Sequence, residues 1–212
     1  LNELRVIFIA LSQMPKSDEQ LDPNHAYYIT KEDFVKIGVQ PNNVAREIKS
    51  ACNDLLNRVV KIPLPNMGTL RVHWLLSVLS FKEELYENLK NKYPESKNDE
   101  KFINTLRLHN LLEVIPMIAN SDDNIVARIV FHPNMMPYIS ELRKNFTWTY
   151  LFEVLSLNST YSIRIFLMMM QFKETGLCKI HLDDFRYALD LDDKYQLFAD
   201  LLKRVIEPSI PN

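Results

Sequence analysis

The chain states one order of elements twice. An early stretch, Ile29-Thr30-Lys31-Glu32-Asp33-Phe34, matches a late one, Ile180-His181-Leu182-Asp183-Asp184-Phe185, at an offset of 151 residues. Asp54-Leu55-Leu56-Asn57-Arg58-Val59-Val60 matches Asp200-Leu201-Leu202-Lys203-Arg204-Val205-Ile206 at an offset of 146. The helices that open each copy also align, Leu4-Arg5-Val6-Ile7 with Ile163-Arg164-Ile165-Phe166. Any single match is short enough for chance to supply between two amphipathic helices. Three in the same order point to a duplicated folding unit. Each copy reads helix, strand, helix, turn, helix, the order of a helix-turn-helix on a three-helix core. The first two helices then hold the third at an angle, so that its outer face fits a major groove roughly 12 Å wide.

Periodicity fills in the elements. Leu4, Ile7, Phe8 and Leu11 predict a helix over residues 1–13. A short strand is expected at 27–29. Thr30 then caps a second helix with Asp33 three residues on, and Gly38 stops it. After a turn at Pro41 and Asn42, a helix over 43–58 has an inward stripe of Val44, Ile48, Cys52 or Ala51, and Leu55. Strands are expected at 59–63 and, past a turn holding Pro65, Asn66 and Gly68, over 69–81. This hairpin makes the first copy a winged helix. Helices are expected at 82–92 and 101–112, with a charged loop at 94–100 and a polar turn at 120–124. Residues 125–131 alternate as a strand, Pro133 opens a helix to about 144, and 146–155 is ambiguous. Beyond Ser156–Ser159 come an apolar helix at 160–173, a strand at 178–181, and helices at 182–189 and 194–206.

Composition narrows the function classes. Three glycines, Gly38, Gly68 and Gly176, lie too far apart for a phosphate-cradling loop, which excludes a P-loop and a dinucleotide fingerprint. Two cysteines, Cys52 and Cys178, suggest reduced thiols in a cytosolic protein. No apolar run reaches membrane-spanning length and no signal peptide opens the chain. Leu1 in first place and the abrupt end at Asn212 read as a fragment. His25, His73, His109, His132 and His181 are scattered, with neither a metal-binding pair nor a tyrosine nucleophile beside them. No catalytic residue, metal site or cofactor is expected. Cys52 and Met168-Met169-Met170 read as core, and Asp190, Asp192 and Asp193 as a turn before a helix.

The late copy resembles a known family. Leu155-Ser156-Leu157-Asn158-Ser159-Thr160-Tyr161-Ser162-Ile163-Arg164-Ile165-Phe166 is similar to the start of the second domain of iteron-binding plasmid replication initiators of the Rep type. Leu182-Asp183-Asp184-Phe185-Arg186, Leu189-Asp190-Leu191, Tyr195, Phe198 and Lys203-Arg204-Val205-Ile206-Glu207-Pro208 continue the likeness. The first half matches more loosely, through its opening helix, Tyr28-Ile29-Thr30 and Asn57-Arg58. The resemblance implies an α+β, mainly α architecture of two winged helix-turn-helix domains in tandem. The first, residues 1–155, would serve dimerisation and auxiliary DNA contact. The second, 156–212, would carry the main DNA recognition and be truncated at its C-terminal wing, a basic hairpin that follows the recognition helix in the family. The function implied is a non-enzymatic initiator that binds double-stranded origin repeats, opens the duplex and recruits host replication proteins in the bacterial cytoplasm. Its dimers would repress their own gene. Residues 82–124 form a longer insertion than the family pattern suggests, with an open role.

Candidate DNA contacts follow from which residues lie off the apolar stripes. Over 194–206, Tyr195, Phe198, Leu202 and Val205 should face the core, which leaves Lys194, Gln196, Lys203 and Arg204 outward. Basic groups neutralise phosphates, and Arg or Gln reads base edges by paired hydrogen bonds. For Arg164 the resemblance implies a phosphate or structural role, with a buried salt bridge to a carboxylate such as Asp184 as the alternative. In the first copy Asn43, Arg46 and Lys49 lie near the start of the third helix, and Asn42 precedes them. Over 42–62 the cations Arg46, Lys49, Arg58 and Lys61 oppose Glu47 and Asp54, and Lys36 could extend that patch. The whole chain carries a net charge of −2, and residues 159–212 hold seven basic against eight acidic side chains. That balance is unusual for a DNA-gripping unit, and the family's second wing is expected to compensate it. Two other readings share the fold: a transcriptional repressor with no replication role, and a protein-interaction module. For a dimer, the strands at 69–81 and 125–131 are expected to offer their edges.

Overall fold

The structure, a computed structural model, describes residues 1–15, 22–82, 99–120, 124–145, 151–191 and 193–210. Helix α1 (Asn2–Ser12) is buried from Arg5 to Leu11 without interruption. The sequence stripe accounts for only one side of it. The other side is covered as well, because α1 packs on α3 (Val44–Asn57), strand β1 (Ala26–Thr30) and α7 (Leu151–Ser156). Between β1 and α2 (Lys31–Lys36) Thr30 closes a capping box: its hydroxyl accepts from the Asp33 N–H at 3.1 Å, and the Asp33 carboxylate accepts from the Thr30 N–H at 3.0 Å. Gly38, at φ +87°, turns the chain out of α2 in a conformation that costs glycine little. A 3₁₀ turn, Pro41–Asn43, leads into α3, whose inward stripe is Val44, Ile48, Ala51, Cys52 and Leu55, all buried.

Strands β2 (Val59–Leu64) and β3 (Gly68–His73) form the wing, a two-stranded ribbon with Leu64 opposite Gly68. The strand expected over 69–81 is two strands. The chain bends at Trp74, and β4 (Leu75–Ser80) leaves the ribbon for a second sheet of order β1-β5-β4, where β5 is Ile125–Phe131. Every residue of β5 is buried. The expectation that 125–131 offers a free edge is therefore corrected: β5 is the central strand, paired on both sides, and β4 and β1 are the edges.

The inner face of this sheet, with Tyr27, Ile29, Ala127 and Ile129, joins α1 and α3 in the main core. Its outer face carries Tyr28, Arg128 and Leu79, which are neighbours across the three strands. The insertion covers that face. Helices α4 (Glu100–Leu108) and α5 (Val114–Asn120), with the link between them, bring Phe102, Leu111 and Val114 against Tyr28, Phe81 and Ile125 in a second, smaller cluster. Helix α4 stops earlier than the expected residue 112, because Asn110 at φ +53° folds the chain back, with Leu111 N–H on the Leu106 carbonyl. Arg128, 8% exposed, donates to Glu113 at 2.8 Å and fastens the insertion to the sheet. Lys82 apart, the helix expected at 82–92 lies outside the described residues, as do most of the loop at 94–100 and of the turn at 120–124.

After 3₁₀ turn Pro133–Met135, helix α6 (Met136–Asn145) and α7, the chain enters α8 (Thr160–Gln171), capped by the Ser159 hydroxyl, which accepts from Tyr161 N–H at 3.1 Å. Arg5 reaches from α1 to the end of α7 and donates to the Leu155 carbonyl at 3.3 Å. Helix α8 belongs to two cores. Ile163 enters the main one, whereas Ile165 joins Leu189, Leu191, Leu201 and Val205 in a third cluster. Residues 178–181 do not form the expected strand: they pair with no strand among the described residues. Helix α9 (Leu182–Leu189) follows, and Asp190 ends it in the left-handed region at φ +60°.

The last expected helix is the largest correction. Residues 194–197 are not helical. Helix α10 spans only Phe198–Leu201, continues as a π-turn Leu202–Ile206 and closes in a 3₁₀ turn Glu207–Ser209. Pro208 has no N–H to return to the carbonyl four residues back, and the Glu207 N–H bonds the Leu202 carbonyl with π spacing. Ser209 Oγ donates to the Val205 carbonyl at 2.6 Å. This winding moves the buried stripe. Leu201, 0% exposed, and Val205 face the core, whereas Phe198, expected inside, is 56% exposed, and Leu202 is exposed too.

Candidate nucleic-acid interface

Two surfaces follow from this arrangement, one on each copy of the repeated unit. On the first, α3 spends its apolar stripe on the core and turns Arg46, Ser50, Asn53, Asp54 and Asn57 outward. Arg46 Nη2 donates to Asn43 Oδ1 at 3.0 Å, and Lys49 is half-buried. Arg58, at the end of the helix, is paired with Glu3 at 2.8 Å, and Lys36 with Glu32 at 3.0 Å. The outer face of α3 is thus mixed in charge.

The wing is different. Its strand register puts Val60, Ile62, Leu70 and Val72 inward and leaves Val59, Lys61, Pro63, Thr69, Arg71 and His73 exposed on the outer side. Lys61 and Arg71 are directly opposed across the two strands. Like charges in that position repel and weaken a ribbon. A polyanion lying along the ribbon would attract both cations and offset the repulsion between them. Lys61 lies within the basic stretch 42–62 and Arg71 beyond it. The signal was present, because the turn at Pro65, Asn66 and Gly68 fixes the register that makes the two residues partners.

On the second unit, Lys203 and Arg204 lie exposed on the π-turn, and Arg204 approaches Asp200 at 3.7 Å. Lys194 and Gln196 are exposed, but on the turn before α10 and not on the helix to which the sequence assigned them. Arg164 is half-buried and donates to the Ala188 carbonyl at 3.4 Å, so that it meets the end of α9 and not the expected Asp184. Of the eight expected contacts, Lys194, Gln196, Lys203 and Arg204 gather around one element, Asn43, Arg46 and Lys49 around another, and Arg164 stands apart.

Sequence reasoning gave Arg186 a place in a motif but no role. Its guanidinium, 9% exposed, donates to three successive carbonyls: Lys194 at 3.0 Å, Tyr195 at 2.7 Å and Gln196 at 3.0 Å. Nothing local marks this, since the partners lie eight to ten residues on.

Other chemistry is limited. Burial pushes the Cys52 thiol up to about 12, which leaves it protonated and unreactive at neutral pH. Burial also raises Tyr28, whose hydroxyl lies 3.5 Å from Glu113. Among the described residues no group of three His, Cys, Asp or Glu side chains is arranged to hold a metal ion, and no helix is long and apolar enough to cross a membrane.

Comparison with known proteins finds two winged-helix domains, the first of which takes in α8. Residues 1–170 match the family model described as Initiator Replication protein, WH1, and residues 181–211 match Initiator Rep protein, WH2. Among solved structures, the crystal structure of Pi initiator protein in complex with iteron DNA superposes with a TM-score of 0.63 at 16% sequence identity, covering 99% of this chain and 77% of that one. No curated protein matches the chain.

Proposed function

The chain belongs to the initiator replication protein family, and from that premise we propose that it binds double-stranded direct repeats at a plasmid origin and starts their replication in the bacterial cytoplasm. The observation that carries this reading is the pair of helix-turn-helix units joined by α8, each with exposed cations on one element: Lys61 and Arg71 on the wing of the first, Lys203 and Arg204 on the π-turn of the second. In this reading residues 156–212 supply the main recognition through Lys203, Arg204, Lys194 and Gln196. Residues 1–155 contact the neighbouring groove through the wing, with Asn43, Arg46 and Lys49 beside it, and Arg164 acts as a structural support. The protein takes no part in bond chemistry. Simultaneous engagement of two grooves bends the duplex, and the deformation favours opening of an adjacent A·T-rich stretch.

Gel-shift titration against tandem repeats of about two helical turns and against random DNA tests the proposal, because the slope of log K against log salt counts phosphate contacts. Preference for the repeats is expected; equal binding to both duplexes overturns sequence-specific initiation. A dimer would form through the first unit at strand β4, an edge whose six residues, Leu75-Leu76-Ser77-Val78-Leu79-Ser80, carry no charge and no proline to discourage pairing. Ultracentrifugation that finds only monomer at high concentration removes that part. Family resemblance adds autorepression and recruitment of host replication proteins. The acidic balance of residues 159–212 favours a second reading, a protein-interaction module. The double substitution Lys203→Ala, Arg204→Ala separates the two, since it abolishes DNA binding in the first and leaves activity intact in the second.

A further inference from the structure

The stretch between α9 and α10 is closed at both ends by one residue. At its start the Arg186 carbonyl accepts from the Leu191 N–H at 2.9 Å, and Asp190 N–H bonds the Tyr187 carbonyl at 3.0 Å, a Schellman ending with a left-handed Asp190. At its finish the Arg186 side chain takes the carbonyls of Lys194, Tyr195 and Gln196. Tyr195 lies between them at φ +52°, a region that a bulky aromatic residue adopts only when its surroundings hold it there. The guanidinium is nearly sealed from water. Its hydrogen bonds to carbonyls are charge-assisted and stronger than neutral ones.

We infer that Arg186 is the positioning residue of the second unit's DNA-reading element: it fixes the turn so that Lys194 and Gln196 and the π-turn bearing Lys203 and Arg204 meet the duplex in a single register. The inference rests on the DNA-binding reading above and deepens it. A guanidinium is needed for geometric reasons. Its planar fork directs donors at several acceptors at once, whereas a lysine ammonium is a compact charge that cannot span three consecutive carbonyls in the same way. Phosphate contacts survive a loosened turn, because mobile cations still find a polyanion. Base contacts do not, because they require fixed geometry.

Arg186→Lys keeps the charge and tests the geometry. The probes are a duplex enriched for this protein from a random-sequence pool and a scrambled duplex of the same composition. The expected result is a loss of discrimination of about tenfold or more, the scale of one mismatched base pair. Affinity for the scrambled duplex and its salt slope should stay unchanged, and amide hydrogen exchange at 194–198 should quicken in the free protein. Undiminished discrimination overturns the inference. So does an equal fall in both affinities, which marks a general loss of folding. Should the wild-type chain itself fail to discriminate, the DNA-binding reading fails, and unchanged exchange at 194–198 in Arg186→Lys then rejects the clamp independently.

Discussion

The two copies of the repeated unit reach a fixed shape by different means. The first is held by burial. Its core joins α1, α3, both inner sheet positions and the end of α7, and the insertion adds a smaller cluster on the outer face. Among the described residues the second has five buried apolar side chains in its own cluster. Beside them an apolar groove of about 610 Å³ lies open between α8, Ile180 and Ile206. Leu177, Tyr187, Leu197 and Phe198 are exposed. What the second unit lacks in burial it supplies with polar ties, above all Arg186 and the Ser209 hydroxyl. Burial is non-directional and gives stability. Hydrogen bonds to chosen carbonyls are directional and give orientation. A unit that held recognition residues in place, as proposed above, would gain more from the second kind.

This contrast can be broken most forcefully in the first unit. Phe34→Ala should lower global stability by about 3–5 kcal/mol in denaturant titration, through lost transfer energy and the cavity left behind. The analogous truncation in the second unit, Leu201→Ala, should cost about 2–4 kcal/mol. It should affect an early transition seen by hydrogen exchange in 182–206 while the main unfolding is unmoved. One shared transition for both variants would show that the units do not differ in this way. Alkaline titration sharpens the contrast further. Burial raises Cys52 and Tyr27 to about 12 each in the folded chain. Both groups ionise earlier when unfolded, so the folded state holds the extra protons and stability falls as pH rises through the unfolded values. The loss should be about 2 kcal/mol by about pH 10.5 from Cys52, and Cys52→Ala should flatten it. Arg128→Met strands Glu113, which is half exposed, so about 1–2 kcal/mol is expected, together with faster exchange in α4 and α5. Lys61→Ala and Arg71→Ala should change stability by less than about 0.5 kcal/mol. Each should lower the salt slope of DNA binding by roughly one unit, alike for specific and random duplexes.

The same contrast decides what could be read before folding. The α3 stripe, the Thr30 capping box and the wing were legible, because each follows from neighbours within a few residues. The burial of β5 was half legible. Ile125, Val126, Ala127, Ile129, Val130 and Phe131 are apolar on both alternations, which signals a strand covered on two faces and so a central one. The run 194–206 was misread because its apolar spacing fits a straight helix. Nothing nearby in sequence announces that Arg186 withdraws three carbonyls from it, whereas Pro208, two residues past the run, marks where a straight helix fails. The exposed cations at 203 and 204 survived the error; Lys194 and Gln196 kept their exposure but changed element.

One consequence attaches to α8. Ile163 and Ile165 stand two residues apart on a single rod and are sunk into different cores. Neither unit can swivel without dragging that rod through its neighbour's interior. On the DNA-binding reading proposed above, the molecule would act as a caliper whose jaws are preset, gauging the separation and phase of two grooves along a duplex, and inserting half a helical turn between them should defeat it more thoroughly than altering any one base.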